Sequence, residues 1–214
     1  MNILTDSLPE TVEINGSAWP IYTGFDVGVQ FELIMQDSTL TPAERMSRAL
    51  SLYYPMLPPD LNGAINGLLW FYSCGHWQPE PQEAAENGRP SAQPQKPRRQ
   101  KVYCFEQDAE LIYAAFMAAY GIDLNDVPDL HWWKFRALFT ALPSDCEFRQ
   151  VMGYRSADAK GMSKKQKEFY NKMKRQYALK NPMDVSAAVS LAERDQRMKD
   201  YVARRFAEVG GASG

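Results

Sequence analysis

The chain has 214 residues, 45% of them hydrophobic and 12% aromatic. That is enough for a packed core in one or two domains, and too apolar for wholesale disorder. The net charge of −2 hides a polarity: residues 1–77 carry two basic against eight acidic side chains (−6), 78–101 five against three (+2), 102–157 four against eight (−4) and 158–214 thirteen against seven (+6). The longest apolar run, Leu68–Tyr72, is far short of the ~20 residues that span a bilayer, and MNILTDSLPE lacks the features of a signal peptide. A soluble cytoplasmic protein is therefore expected.

The first segment, 1–77, reads as a hairpin plus three helices. Val12–Ile14 and Ala18–Tyr22 flank Asn15-Gly16, a pair suited to a type I′ turn because both positions need positive φ. Pro20 marks the second run as an edge strand, and this hairpin is expected to be the only sheet. Phe25–Gln36 carries Val27, Phe31, Ile34 and Met35 close to helical spacing. Thr41-Pro42-Ala43-Glu44 combines a capping box with Pro at the first helical position, and its helix stops before Pro55. Asp60 opens a third helix that ends near Gly75.

Residues 78–101 are rich in proline and have no apolar period, so they read as a flexible linker or exposed loop. The next segment, 102–180, is the helical core region. Phe105, Ala109, Ile112, Phe116 and Ala119 share one helix face. Two apolar rows run along 130–142: Leu130, Trp133, Ala137, Leu138 and Ala141, and Trp132, Phe135, Phe139 and Leu142. A helix apolar on two faces is either central to a core or shared with a partner. Ser144–Glu147 and Ser163–Gln166 read as further capping boxes, the second starting a helix with Phe169, Met173 and Tyr177 on one side and lysines opposite. In 181–214, an amphipathic helix from Asp184 to Glu208 is expected, with Glu193/Arg197, Asp195/Lys199 and Asp200/Arg204 as i,i+4 pairs and Gly210-Gly211 closing it. The fold class is mainly α: a helical bundle with a small N-terminal β-hairpin.

No nucleotide-binding, zinc-protease or serine-hydrolase motif is present. Cys74, Cys104 and Cys146 are odd in number and lack paired CxxC spacing, so they read as small buried hydrophobes rather than as a disulfide framework or metal ligands. Glu106, Asp108 and Glu110 read as acids around a first helical turn, favoured by the dipole. Asp123, Asp126 and Asp129 read as turn formers. The basic residues from Lys160 to Lys180 read as a solvated face, since a sequence pI near 5.8 is not the footprint of a nucleic-acid domain. No catalytic residue, metal site or cofactor is expected.

YCFEQDAELIYAAFMAAYGIDL, HWWKFRALFTALP, VMGYRS and KEFYNKMKRQYAL, with LTDSLPETVEINGSAWPI and LLWFYSCG at the front, resemble the phage family named for gene product fifteen. The resemblance covers most of 1–180. It implies a protein of the tail region of phages and prophages of Gram-positive bacteria, encoded where tail assembly chaperones usually lie. The implied function is non-enzymatic: binding the tape measure protein and tail tube subunits in the host cytoplasm, with self-association as a further option and no membrane or nucleic-acid partner. A minor tail protein retained in the virion, or a nucleic-acid-binding regulator, are the rival readings. The partner-binding candidates are Trp132, Trp133, Arg136, Phe139, Tyr154 and Arg155, with Asp108 a further position of interest; the alternative role for Arg136 and Arg155 is to satisfy the acids at 106–110.

Overall fold

β1 (Thr11–Ile14) and β2 (Ser17–Pro20) pair antiparallel, with Ile14 opposite Ser17 and Thr11 opposite Pro20. The computed structural model describes residues 2–77, 101–127, 129–158 and 160–180. Residues 78–100 of the expected linker and the expected helix from Asp184 to Glu208 lie outside them. Asn15 and Gly16 take φ of 52° and 75°, as a two-residue turn with right-handed strand twist requires. The turn makes Ile14–Ser17 a hydrogen-bonded pair, and alternation then makes Val12–Trp19 another. The Ile21 N–H continues the pattern by donating to the Glu10 carbonyl at 3.1 Å. Pro20 therefore falls in a non-bonded pair, where its missing N–H costs the ladder nothing.

Val12 and Ile14 turn inward and Thr11 and Glu13 outward. The inward pair lies on α3 (Leu61–Tyr72), which meets it with glycines: a Cβ at Gly63 would sit 2.5 Å from Ile14 Cγ2, and one at Gly67 2.9 Å from Val12 Cγ2. Asp60 caps α3 by accepting from the Gly63 N–H at 3.1 Å and also takes the Asn15 side-chain amide at 3.0 Å, tying helix start to hairpin turn. α1 (Phe25–Gln36) and α2 (Pro42–Tyr53) precede it, and α2 has both bonds of the expected capping box. The Tyr72 hydroxyl donates to Glu32, joining α3 to α1. α3 ends where Cys74 and Gly75 turn to φ of 57° and 79°.

The second half supplies α4 (Ala109–Tyr120), α5 (Trp132–Thr140), α6 (Glu147–Ser156) and α7 (Lys164–Gln176). α5 lies against α1. Among the described residues there is one isolated bridge beyond the hairpin, Gly24 to His131, flanked by Phe25 N–H to Leu130 carbonyl at 2.9 Å and Trp132 N–H to Thr23 carbonyl at 2.7 Å. Phe135 on α5 centres the core, its ring 5.1 Å from both Phe25 and Phe116 and 5.6 Å from Trp132. Two expectations are corrected. Phe105 is buried, but α4 begins at Ala109, after a turn. The Ser144–Glu147 capping box does not form: the Cys146 N–H closes a turn onto the Pro143 carbonyl at 3.2 Å, and Cys146, with no side-chain cap bond, takes the N-cap position. The Ser163–Gln166 box is present as expected.

α1 and α5 touch at one glycine: a Cβ on Gly28 would lie 2.1 Å from Trp132 Cε3. Propensity alone favours alanine in a helix by ~1 kcal/mol. Overpacking against a fully buried indole outweighs it, so Gly28→Ala is expected to lower the unfolding free energy by about 1–3 kcal/mol, read as a reduced urea midpoint.

Candidate partner-binding surfaces

The structure places most of the sequence candidates inside. Trp132 is fully buried and Trp133 nearly so. Their indoles point the same way along the chain's logic, if not in direction: Trp132 Nε1–H donates to the Tyr72 carbonyl at 2.9 Å, and Trp133 Nε1–H to the Phe71 carbonyl at 2.8 Å. Trp132 thus satisfies the Tyr72 carbonyl at the end of α3, and Trp133 adds a second donor to the Phe71 carbonyl, which also accepts the Cys74 N–H at 3.0 Å. Phe139 is buried among Tyr103, Phe105 and Phe148. Both apolar rows of 130–142 are covered by the protein's own elements, and mainly Ala137 and Ala141 reach solvent. Arg136 lies over the Trp132 ring, 5.5 Å from its centroid. It also opposes the upward pressure that burial exerts on the Cys74 thiol and the Tyr103 hydroxyl.

Arg155 is buried and pairs with Asp108, one of the acids at 106–110 that the sequence offered as its alternative partners. The pair is bidentate: Nη1 to Oδ2 at 2.7 Å and Nη2 to Oδ1 at 2.8 Å. Further bonds surround the pair. Arg155 Nε donates to the Tyr177 carbonyl at 2.6 Å and Nη1 to the Val102 carbonyl at 3.0 Å, while Asp108 Oδ2 accepts from the Cys104 N–H at 2.9 Å. One guanidinium therefore ties α6 to the start of α4, to the chain at 102–104 and to the residue after α7.

His131 is the N-cap of α5. Its Nδ1 accepts from the Trp133 N–H and its Nε2–H donates to the Pro9 carbonyl, both at 3.1 Å. These partners require the neutral ring with the proton on Nε2. Burial pushes its pKa down. The Pro9 bond and Glu10 partly oppose this, while Lys134 adds to it. Asp123 is a turn former, accepting from the Asn125 N–H at 2.9 Å and the Tyr113 hydroxyl at 2.8 Å. Among the described residues no group of three or more His, Cys, Asp or Glu is placed to hold a metal ion, and no helix is long and apolar enough to cross a membrane.

Two surfaces remain. On α6 and α7, half-buried Tyr154 meets Phe169, Tyr170 and Tyr177 with ring centroids 5.9–6.2 Å apart. Phe169 is 49% exposed, and α7 buries none of its residues. Lys164, Lys165, Lys167, Lys172 and Lys174 are spread round the rest of α7, flanking the aromatic strip. At the other end, a cleft of about 750 Å³ runs between β1 and α3. The cleft was not read from sequence, although the Gly63/Gly67 spacing beside a hairpin was a signal for close strand–helix packing.

Removing one partner of a buried pair strands the other charge. Arg155→Met is accordingly expected to cost about 3–5 kcal/mol in urea unfolding, with the Asp108→Leu/Arg155→Met double variant recovering much of it. For His131 the folded pKa lies below the unfolded one, so the unfolded chain binds the proton first as pH falls. Its contribution is complete above the unfolded value of ~6.5 and declines below it, until the folded ring also protonates. Unfolding free energies measured from pH 7.5 to 5.5 should fall in the wild type and stay flatter in His131→Asn, which keeps a capping side chain without titrating.

Against known proteins, residues 4–179 match a family model described as Bacteriophage Gp15 protein. No curated protein and no solved structure matches the chain.

Proposed function

Because the chain belongs to the Bacteriophage Gp15 family, we propose that this phage protein is a non-enzymatic tail assembly chaperone. In this reading it holds the tape measure protein soluble in the host cytoplasm and delivers tail tube subunits to it. The observation that best supports the reading is α7. It is amphipathic and basic, buries no residue, and keeps the ring of Phe169 half in solvent beside Tyr154. A helix seated this way presents an apolar strip with a charged border, the arrangement that engages another amphipathic helix reversibly. Trp132, Trp133 and Phe139 act on that surface only indirectly, by fixing the core beneath it; Arg155 holds the α6–α7 junction.

Co-expression with the tape measure protein from the same phage tests this. The tape measure should move from the pellet to the soluble fraction and co-purify. Phe169→Glu, at an exposed position, should leave the melting temperature of this protein near the wild-type value and abolish the rescue. A tape measure that stays insoluble beside the wild-type protein would refute the reading. The presence of this chain in purified virions would instead favour a structural tail component.

A further inference from the structure

The two edges of the hairpin are unequal. On β2 the outward-facing backbone groups belong to Ala18 and Pro20, and proline has no N–H to offer. On β1 they belong to Thr11 and Glu13, because Val12 and Ile14 are the residues that bond to β2. Among the described residues, neither Thr11 nor Glu13 hydrogen-bonds to any other element, through backbone or side chain. Both line the 750 Å³ cleft, whose other wall is α3 at Gly63, Gly67 and Trp70, with Trp77 beyond. Trp70 is fixed from behind, its ring 5.6 Å from Trp133 and edge-on to it.

We propose that this cleft is a strand-addition site: it takes an extended polypeptide segment that pairs with β1 as a third strand. The site has the three parts such binding needs. The open edge supplies backbone donors and acceptors at Thr11 and Glu13. The helix wall, aromatic at Trp70 with Trp77 beyond it, receives the side chains on one face of the incoming strand beside Val12 and Ile14, which already fill the space over the two glycines. The opposite face carries Glu13, in a segment 1–77 that holds two basic against eight acidic residues. The occupant is therefore a period-2 peptide, apolar toward α3 and basic toward Glu13. Pro20 leaves the other edge of the sheet poorly suited to pairing, so addition is confined to the β1 side. The inference is independent of the α7 surface and of what the tape measure does there.

The probe is a blocked eight-residue peptide alternating valine and lysine, titrated by fluorescence anisotropy into the full chain. Saturable binding is expected. Backbone N–H groups of a strand alternate between its two edges, so N-methylation of one parity (all valines or all lysines) should abolish binding and of the other should leave it intact. Glu13→Lys should weaken binding about tenfold, from attraction turned to repulsion across the strands. Thr11→Pro, which removes an outward N–H but no ladder bond, should weaken it with little change in melting temperature. No saturable binding at millimolar peptide, or equal effects of the two methylation patterns, would overturn the proposal. So would a dimer of the unliganded chain that Thr11→Pro dissociates, since a second copy's strand would then be the occupant.

Discussion

The last turn of α3 presents the carbonyls of Phe71 and Tyr72; the backbone supplies a donor to the first, the Cys74 N–H, and none to the second. Trp132 and Trp133 close that end with their two indole N–H groups. A buried carbonyl left without a donor costs about 1–3 kcal/mol, so the Trp132 bond to Tyr72 removes a penalty of that order, while the two residues together bury two large rings. The same indoles fix their neighbours. Trp132 fills the notch left by Gly28 on α1 and stacks on Tyr72; Trp133 braces Trp70. Everything that touches α3, including the hairpin lying on its glycines, takes its position from this junction.

The other half of the unit is organised by charge. Asp108 and Arg155 stand 47 residues apart and meet in a buried bidentate pair. Ion pairs of this kind are weak stabilisers relative to well-packed apolar groups, since desolvation offsets most of the attraction. Their geometric demand is strict, however. With bonds to Val102, Cys104 and Tyr177 as well, the pair accepts one arrangement of four chain segments. It specifies how α7 is hung on α6, and hence where the Tyr154–Phe169 surface faces, more than it adds to total stability.

Local chemistry was legible in the sequence, and long-range pairing was not. The turn at Asn15-Gly16 and the caps at Thr41, Asp60 and Ser163 depend on residues within four positions, and each formed where expected. Ser144 shows the limit of that logic, since the motif was present but a turn onto Pro143 intervened. The spacing of 130–142 revealed two apolar faces. It could not reveal that α1, α3 and the 103–105 segment would cover both, because coverage is a property of other elements. Arg155 was a candidate partner for the acids at 106–110, but nothing local separated Asp108 from Glu106 and Glu110, because the burial that selects it is set by distant elements. Nothing local distinguishes His131 as a cap, since its second bond reaches back to Pro9. The surfaces left open, on α7 and beside β1, emerge only after these long-range contacts have used up the rest.

The bond from His131 to Pro9 spans 122 residues, and the indole bonds to α3 span about 60. The front of the chain is thus completed by a helix made long after it. During synthesis, residues 1–77 leave the ribosome with the α3 carbonyls in water, the Gly28 notch open and the Pro9 carbonyl unmatched. Hairpin and helices touch one another directly, through Asn15–Asp60 and Tyr72–Glu32, but the junction at the end of α3 is completed only when α5 emerges and docks. A chain halted before Thr140 holds every residue of the β1 cleft and lacks the complete helix that braces it.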